Sequence, residues 1–312
     1  MKIVGIGETV LDIIFRDDKP TAAVPGGSTF NALISLGRTA GRDFPEVPIL
    51  MVSEVGDDHV GDIIVSFMQA NGVSASGVTR NSGTKSHISL AFLDEQNNAH
   101  YTFYKDHGSA SLSEKKVSAI TFERGDIVLF GSYFAINPRI RDYVAGLLRS
   151  AREAGAILYY DVNFRPSHLG DLDQTMANIE ENCRLSDVVR GSDEDFSTLF
   201  GEALTPERAY TEHIGQWCPN FICTCGSRPL EVFAPGMHLS IQPAEVRTVS
   251  TLGAGDSFNA GFVYGLLSCQ SCQRGLEMSE AQWREVVNIA TGFSANVCAS
   301  IYNYVDEGFK AK

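Results

Sequence analysis

Strand-like and helix-like apolar segments alternate along the chain, and this alternation most constrains its fold. Residues 3–6 are a short β-branched run, and the stretch after Gly26 and Gly27 has apolar residues at helical spacing. Residues 47–52 are extended again, and residues 60–68 place their apolar side chains on one helical face. Repeated strand–helix–strand units favour a mostly parallel sheet between two layers of helices.

The clearest unit lies in the middle of the chain. Residues 126–130 read as a buried strand, Pro138 is predicted to open a helix that Gly155 ends, and residues 156–160 form the next strand. The pattern continues at residues 187–189, at residues 221–224 and from about Asp256. Without repeats or linkers, the sequence predicts one α/β domain over residues 1–312.

Residues 86–93 and 99–104 interrupt this pattern. Both segments are β-rich, and the turn-like sequence DEQNN separates them, so we predict an antiparallel hairpin. A hairpin inserted in a parallel α/β fold is typical of a lid or an edge flap.

The charge balance limits the partners of the chain. Its 25 Lys and Arg against 38 Asp and Glu give a formal charge of −13. Because a groove that follows phosphates needs clustered basic residues, this argues against nucleic acid or an anionic membrane as partner. No apolar run approaches the roughly 20 residues that span a bilayer. Any anionic ligand must therefore be held by local features.

The seven cysteines fit a reducing compartment better than a disulfide framework. The first residues do not resemble a signal peptide, so we expect a cytoplasmic protein. Cys269 and Cys272 form a CxxC and Cys223 and Cys225 a CxC, but neither pair has the second half that a zinc site needs. Burial as small apolar residues is the favoured reading.

Common phosphate-loop signatures are missing. The adjacent Gly-Lys of a Walker A loop does not occur, and the pair Gly5 and Gly7 is followed by Val10 where a dinucleotide fingerprint has its third glycine. What remains is the sequence TLGAGDSF at residues 251–258, before apolar residues at helical spacing. Free backbone N–H groups at a helix N-terminus bind anions. Asp256 could instead cap the helix, and spacing alone leaves capping and anion binding open.

The longer run STLGAGDSFNAGFV resembles the C-terminal signature of the ribokinase-like (PfkB) carbohydrate kinases. The resemblance implies that Gly253, Ala254 and Gly255 form an anion hole and that Asp256 is the catalytic base. It also implies a three-layer αβα sandwich with a mostly parallel central sheet and a small β lid formed from about residues 12–25 and 86–106.

Other matches follow in order along the chain. The family pattern implies eight substrate-binding positions here: Asp12, Gly26, Gly27, Asn31, Tyr104, Lys105, Asn163 and Arg165. The run DVNFRP at residues 161–166 matches fructokinase-like members.

The residue types suit a sugar, because a carboxylate or an amide oxygen accepts more than one hydroxyl donor. The residues alone also allow Asp12 to be a solvated strand end and Asn31 to bond its own backbone. Arg165 could hold a phosphate or carboxylate, or form only a surface ion pair.

On the nucleotide side, the resemblance implies that Thr224, Gly226 and Asn288 bind ATP. Pro229 stands where a second glycine is expected, and Asn288 could equally be a polar residue of a helix face.

The metal side departs further from the family. Where the family has Asn-x-x-Glu to organise water on Mg²⁺, this chain has Ser192 and Asp195, so Asp195 is the candidate for Mg²⁺ through water. Ser250 replaces an Asp that many members associate with a monovalent cation, which argues against potassium activation.

Together these matches predict an ATP-dependent kinase for a primary hydroxyl of a monosaccharide, with fructose the favoured substrate. A ribose, ketodeoxygluconate or nucleoside kinase is the alternative, as is a non-catalytic binding protein of the same fold. Family lids often pair between subunits, which favours a homodimer.

Overall fold

The computed structural model describes residues 1–93, 99–104, 120–201, 204–269 and 276–311. The strands are β1 Ile3–Ile6, β2 Val10–Arg16, β3 Lys19–Gly26, β4 Ile49–Gly56, β5 Ser74–Asn81, β6 Ile88–Leu93, β7 Ala99–Tyr104, β8 Ile127–Gly131, β9 Ile157–Asp161, β10 Val188–Ser192, β11 Phe221–Cys225, β12 Arg228–Ala234 and β13 Met237–Ile241. The helices are α1 Ser28–Asp43, α2 His59–Ala70, α3 Ser132–Ile136, α4 Arg141–Ala154, α5 Leu172–Leu185, α6 Asp193–Phe200, the single turn α7 Pro206–Arg208, α8 Ala254–Ser268 and α9 Glu280–Cys298.

Nine strands form the main sheet in the order β13-β12-β11-β10-β9-β8-β1-β4-β5. The seven strands from β11 to β5 in this order are parallel, whereas β12 and β13 are antiparallel. Helices α1, α2, α8 and α9 contribute to the hydrophobic core on one face, and α3 to α6 to the core on the other. The three-layer α/β fold with a mostly parallel sheet is confirmed.

The central strands are apolar on both faces because helices cover both. Adjacent residues of β9 show this directly: Tyr159 packs into the core beneath α8, and Tyr160 packs into the opposite core. Both side chains are fully buried. Continuous apolar runs of this kind are the sequence pattern of a parallel sheet.

Four strands form a second sheet in the order β3-β2-β6-β7. β6 pairs antiparallel with β7, so the predicted hairpin is confirmed, and β2 pairs antiparallel with β3 and parallel with β6. The DEQNN turn lies outside the described residues. β2 follows β1 after only three residues, so the second sheet begins at the edge where the central strand ends.

The middle unit departs from the expectation at one point. Pro138 does not open α4, which begins at Arg141 with Ile140 as its N-cap. The side chain of Asn137 accepts the N–H of Arg139 at 3.0 Å, and the N–H of Ile140 donates to the Asn137 carbonyl at 3.2 Å. This Asx turn holds Pro138 outside the helix. Gly155 ends α4 in the left-handed conformation, as expected.

The cysteines in the described part of the chain are unpaired. Cys223 and Cys225 are buried in β11, which agrees with the reading of small core residues. Cys272 lies outside the described residues. None of the described helices is long and apolar enough to cross a membrane.

Candidate active site

The candidate site lies where the central parallel strands end. In open parallel sheets, ligands bind beyond the carboxyl ends of the strands, near the point where the strand order reverses. Asp12 follows the end of β1, Asn163 follows β9, and Thr224 lies near the end of β11. The first turn of α8 brings Asp256 to the same edge, beside the N-terminus of α1.

Asp256 is held by two residues of α1. Its Oδ1 accepts the hydroxyl of Ser28 at 2.7 Å, and its Oδ2 accepts Nδ2 of Asn31 at 2.8 Å. The N-cap of α8 is Gly253, and Asp256 is the third residue of the helix. The capping interpretation is therefore wrong, because this carboxylate faces another helix.

The environment raises the pKa of Asp256 to about 6. Desolvation is the largest cause, and the hydrogen bonds from Asn31 and Ser28 oppose it. The negative charge of Asp161 raises the pKa further, whereas Arg165 lowers it. A carboxylate with a pKa near 6 is ionised at neutral pH and is a stronger base than an ordinary Asp.

The turn before α8 depends on close backbone approach. Gly253 has a φ of 76°, and a Cβ added there would lie 2.5 Å from the carbonyl oxygen of Asn303. The N–H of Ala254 donates to the Thr251 carbonyl at 3.2 Å, within the turn itself. For Gly253 and Gly255 no backbone carbonyl of the described residues takes the N–H, so these two donors suit an anion best.

Asp12 is 7% exposed, so the interpretation of a solvated strand end is wrong. Its Oδ1 accepts the hydroxyl of Ser89, from the neighbouring strand β6. Burial raises the pKa of Asp12 to about 6; the Ser89 hydrogen bond lowers it, and the charges of Asp256 and Glu8 raise it. Asp12 and Asp256 are thus two electrostatically coupled carboxylates at one site.

Asn31 lies between these two carboxylates. Its amide nitrogen donates a hydrogen bond to Asp256 and not to the backbone of Asn31 itself. Its Oδ1 is buried without a hydrogen-bond partner among the described residues. A Cβ added at Gly26 would clash with the carboxylate of Asp12 and lie 3.8 Å from Asn31 Oδ1, so glycine leaves the space between them open.

Gly27 and Asn163 adopt left-handed backbone conformations at the site. Gly27 has a φ of +120°, and a Cβ there would clash with the carbonyl of Glu8. Asn163 has a φ of 37° and donates Nδ2 to the hydroxyl of Ser132 at 2.8 Å; Ser132 itself has a φ of 55°. Two strained non-glycine residues joined in this way are typical of functional sites.

The other substrate-side candidates make no hydrogen bond with Asp256 among the described residues. Arg165 is exposed, and it acts on the pKa of Asp256. Tyr104 ends β7 and is 59% exposed. Lys105 lies outside the described residues.

The nucleotide-side candidates come from two parts of the fold, the end of β11 and α9. Thr224 Oγ1 accepts Nη2 of Arg190 at 2.7 Å, and Gly226 makes the turn to β12 with a φ of 63°. Asn288 is exposed on α9, and no hydrogen bond within the described ranges joins its side chain to Thr224 or Gly226.

Asp195 is buried, and one of its oxygens is already in use. Oδ2 accepts the N–H and the hydroxyl of Ser192, 2.7 and 2.8 Å away, in a capping box at the start of α6. Desolvation and the charge of Asp161 raise the pKa of Asp195. The described residues hold no group of three or more His, Cys, Asp and Glu that could hold a metal by themselves. This lone carboxylate fits a Mg²⁺ ion that would be held mainly by phosphates, with Asp195 as the residue of this chain that would help to hold it.

Three functional contacts were missed by the sequence analysis. Ser28 and Ser89 each donate a hydroxyl to a site carboxylate, and Arg190 contacts Thr224. The position of Ser28, directly after the Gly-Gly turn, was the available signal for the first. The other two partners come from different strands, and no spacing in the sequence indicates them.

Comparisons with known proteins identify the family of the chain and proteins of similar fold. The family described as pfkB family carbohydrate kinase matches residues 1–302. Among relatives, probable fructokinase-4 of Arabidopsis thaliana is 25% identical over 311 residues, which cover 96% of this chain and 90% of that protein. The fructokinase of Rhizobium leguminosarum bv. trifolii is 28% identical over 270 residues, which cover 83% of this chain and 78% of that protein.

Two solved structures show the same fold. Aminoimidazole riboside kinase from Salmonella enterica, complexed with aminoimidazole riboside and an ATP analogue, has a TM-score of 0.82 at 19% identity and covers 99% of this chain and 97% of its own. Fructokinase from Vibrio cholerae O395, bound to fructose, ADP and calcium, also has a TM-score of 0.82, at 21% identity. The match covers 97% of this chain and 94% of that one.

Proposed function

This chain belongs to the pfkB family of carbohydrate kinases, and from that premise we propose that it transfers the γ-phosphate of ATP to a primary hydroxyl of fructose. The observation that carries the proposal is the pairing of Asp256 with Ser28 and Asn31 at the first turn of α8. It holds an ionised carboxylate beside an anion-binding turn. Fructose is favoured because the relatives named above are fructokinases.

The sugar is bound by the acceptors that the site leaves free. Asn31 Oδ1 is buried without a partner among the described residues. The carboxylate of Asp12 accepts one hydrogen bond from Ser89 and can accept others. Both accept hydroxyl donors, which suits a neutral polyol. Gly26 and Gly27 let the substrate approach the backbone between them.

Proton transfer and charge stabilisation follow from the first turn of α8. Asp256 accepts the proton of the attacking primary hydroxyl, since the pKa of its carboxyl is about 6 and it is ionised at neutral pH. The N–H groups of Gly253 and Gly255 stabilise negative charge on the transferred phosphoryl group. When bound with ATP, Mg²⁺ supplies neutralisation of phosphate charge, and Asp195 would hold it through water.

The second sheet covers the sugar in this proposal and excludes water, which competes as phosphoryl acceptor. It carries Asp12 on β2 and Tyr104 at the end of β7. The proposal includes a homodimer formed through this sheet and a cytoplasmic location. On the nucleotide side, Thr224, Gly226 and Asn288 line the ATP site.

A substrate panel tests the proposal. The purified chain is incubated with ATP, Mg²⁺ and fructose, glucose, ribose, ketodeoxygluconate or a nucleoside, and ADP release is followed by a coupled assay. We expect the highest kcat/KM with fructose. A strong preference for a nucleoside overturns the substrate assignment. Calorimetric sugar binding without ADP release from any acceptor, in Mg²⁺ or Mn²⁺, overturns the activity.

A further inference from the structure

Arg190 is a buried arginine of β10 that contacts three other elements. It is 6% exposed, and its Nη1 pairs with Oδ1 of Asp161 on β9 at 3.0 Å. Its Nη2 donates to Oγ1 of Thr224 on β11 at 2.7 Å. Its guanidinium carbon lies 5.6 Å from the ring centroid of Phe258 on α8. One planar cation therefore connects three strands with the helix that carries the predicted base.

The guanidinium also lies directly against the phosphate-binding turn. A Cβ added at Gly255 would be 3.0 Å from both Nη1 and Nη2 of Arg190. Because a guanidinium stays charged at any ordinary pH, this places a permanent positive charge at the N-terminus of α8. A cation is unfavourable beside the positive end of a helix dipole, so its position has to be explained by something other than helix stability.

The carboxylates around Arg190 explain only part of this arrangement. Asp161 is already bonded on its other oxygen, Oδ2, by Nδ2 of Asn259 at 2.7 Å, and Asn259 accepts the hydroxyl of Tyr159 at 3.0 Å. Arg190 also lowers the pKa of Asp195 through its charge. The second guanidinium nitrogen is nevertheless directed to Thr224, a neutral residue near the end of β11 on the nucleotide side.

We propose that Arg190 is a positioning residue for phosphoryl transfer. Its fork fixes the end of β11, at Thr224, relative to the first turn of α8, at Gly255. Arg190 thereby fixes the distance between these two parts of the site, both of which face the nucleotide. Its charge also adds positive electrostatic potential next to the turn that binds phosphate, although the chain as a whole has a net negative charge. This inference rests on the proposed ATP-dependent activity.

A purely structural role would differ in one respect. If Arg190 only neutralised Asp161, removal of both charges together would leave nucleotide binding intact. Arg190→Met alone leaves a buried unpaired carboxylate and is expected to disturb folding. The informative variant is therefore the double substitution Arg190→Met with Asp161→Asn, which removes the ion pair without leaving a buried charge.

The matched control is another buried arginine pair away from the site. Arg141 on α4 is 8% exposed and pairs with Glu181 on α5, with Nη2 and Oε2 at 2.6 Å. The double substitution Arg141→Met with Glu181→Gln removes this pair, and with it the pair between Glu181 and the exposed Arg149. Thermal melts of both double variants report what each pair contributes to folding.

We expect the Arg190–Asp161 double variant to raise the KM for ATP by about 10-fold or more, with the KM for sugar within twofold, as expected when positioning of one substrate is lost. The control should keep both KM values. An ATP KM equal to that of the wild-type protein in the Arg190–Asp161 variant overturns the proposal. If that variant does not fold, the KM for ATP of Arg190→Lys tests the proposal instead. An ammonium group keeps the positive charge but lacks the two parallel N–H donors of the guanidinium.

A second readout separates this inference from the proposed function. Calorimetric titration with a non-hydrolysable ATP analogue measures nucleotide affinity without turnover. If the wild-type protein releases no ADP with any acceptor, the proposed activity fails. Weaker analogue binding in the Arg190–Asp161 variant alone would still support the role of Arg190, and unchanged binding would refute it.

Discussion

Asn31 donates its Nδ2 to Oδ2 of Asp256 across 2.8 Å and so joins α1 to α8 over 225 positions of sequence. The same amide keeps its Oδ1 buried and unpartnered among the described residues. One side chain thus orients the predicted base and presents an acceptor to the space beside it. This preorganisation means that the carboxylate needs little rearrangement when a hydroxyl group arrives.

Replacement of the predicted base tests this arrangement most directly. Asp256→Asn keeps the shape of the side chain, and Ser28 can reverse its hydroxyl to accept from the new amide. Since removal of a general base costs about 10²–10⁴-fold in rate, we expect a loss of that size in kcat. Calorimetry should show sugar binding close to that of the wild-type protein. Asp173→Asn, at an exposed position of α5, is the matched control. An unchanged kcat in Asp256→Asn contradicts the assignment.

The rate should fall in mild acid. The pKa of Asp256 is raised to about 6, and the base is active only when ionised, so kcat/KM is expected to decline below pH 6. The hydrogen bond from Ser28 lowers this pKa, so Ser28→Ala should move the acidic limb to higher pH. Because Asp12 also has a pKa of about 6, the limb reports both groups. A profile that is flat from pH 5 to 8 would exclude Asp256 as the base.

The same carboxylate should lower the stability of the fold. Its pKa is 3.8 as a free side chain and about 6 in the folded protein, so the folded state binds the proton more tightly. Tighter proton binding stabilises the folded state, and this contribution is complete below pH 4. It is lost as pH rises through 6, where the buried carboxyl ionises. At pH 7 we expect Asp256→Asn to raise the free energy of unfolding by about 1–3 kcal/mol. Urea titrations at pH 4 and pH 7 should show the gain only at the higher pH.

Asp12 should determine sugar affinity more than turnover. A hydrogen bond to a charged group contributes about 1.5–3 kcal/mol, so Asp12→Asn is expected to raise the sugar KM by about 10-fold or more. The KM for ATP should stay unchanged. Ser89→Ala leaves the carboxylate in place, removes its one described hydroxyl donor and serves as comparison. An equal rise in both KM values would mean that Asp12 acts on the whole site.

The sequence predicted the parallel sheet and the hairpin, because these depend on local patterns. The site at the N-terminus of α8 was predicted from the family resemblance and stays a prediction. The sequence could not predict that Ser28 reaches Asp256, since that contact depends on how α1 packs beside α8. Nor did it indicate the left-handed backbone of Ser132, because no glycine marks that position. Asp195 was assigned from the family pattern alone, and only the structure reveals its commitment to the capping box.

The close approach at Gly253 gives a further prediction with an internal control. Gly253 and Gly236 have nearly equal φ values, +76° and +73°, so alanine is strained to a similar degree at either position. Only at Gly253 would the added Cβ meet backbone, 2.5 Å from the carbonyl oxygen of Asn303; at Gly236 nothing lies within 4 Å.

We therefore expect Gly253→Ala to shift the turn and lower kcat by about 10²-fold, because small displacements of positioned donors are costly. Gly236→Ala should lose only about 1–2 kcal/mol of stability and keep its activity. Steady-state kinetics and thermal melts of the two variants, measured side by side, separate backbone strain from the close approach. Equal activity in both variants would show that the position of this turn does not limit phosphoryl transfer.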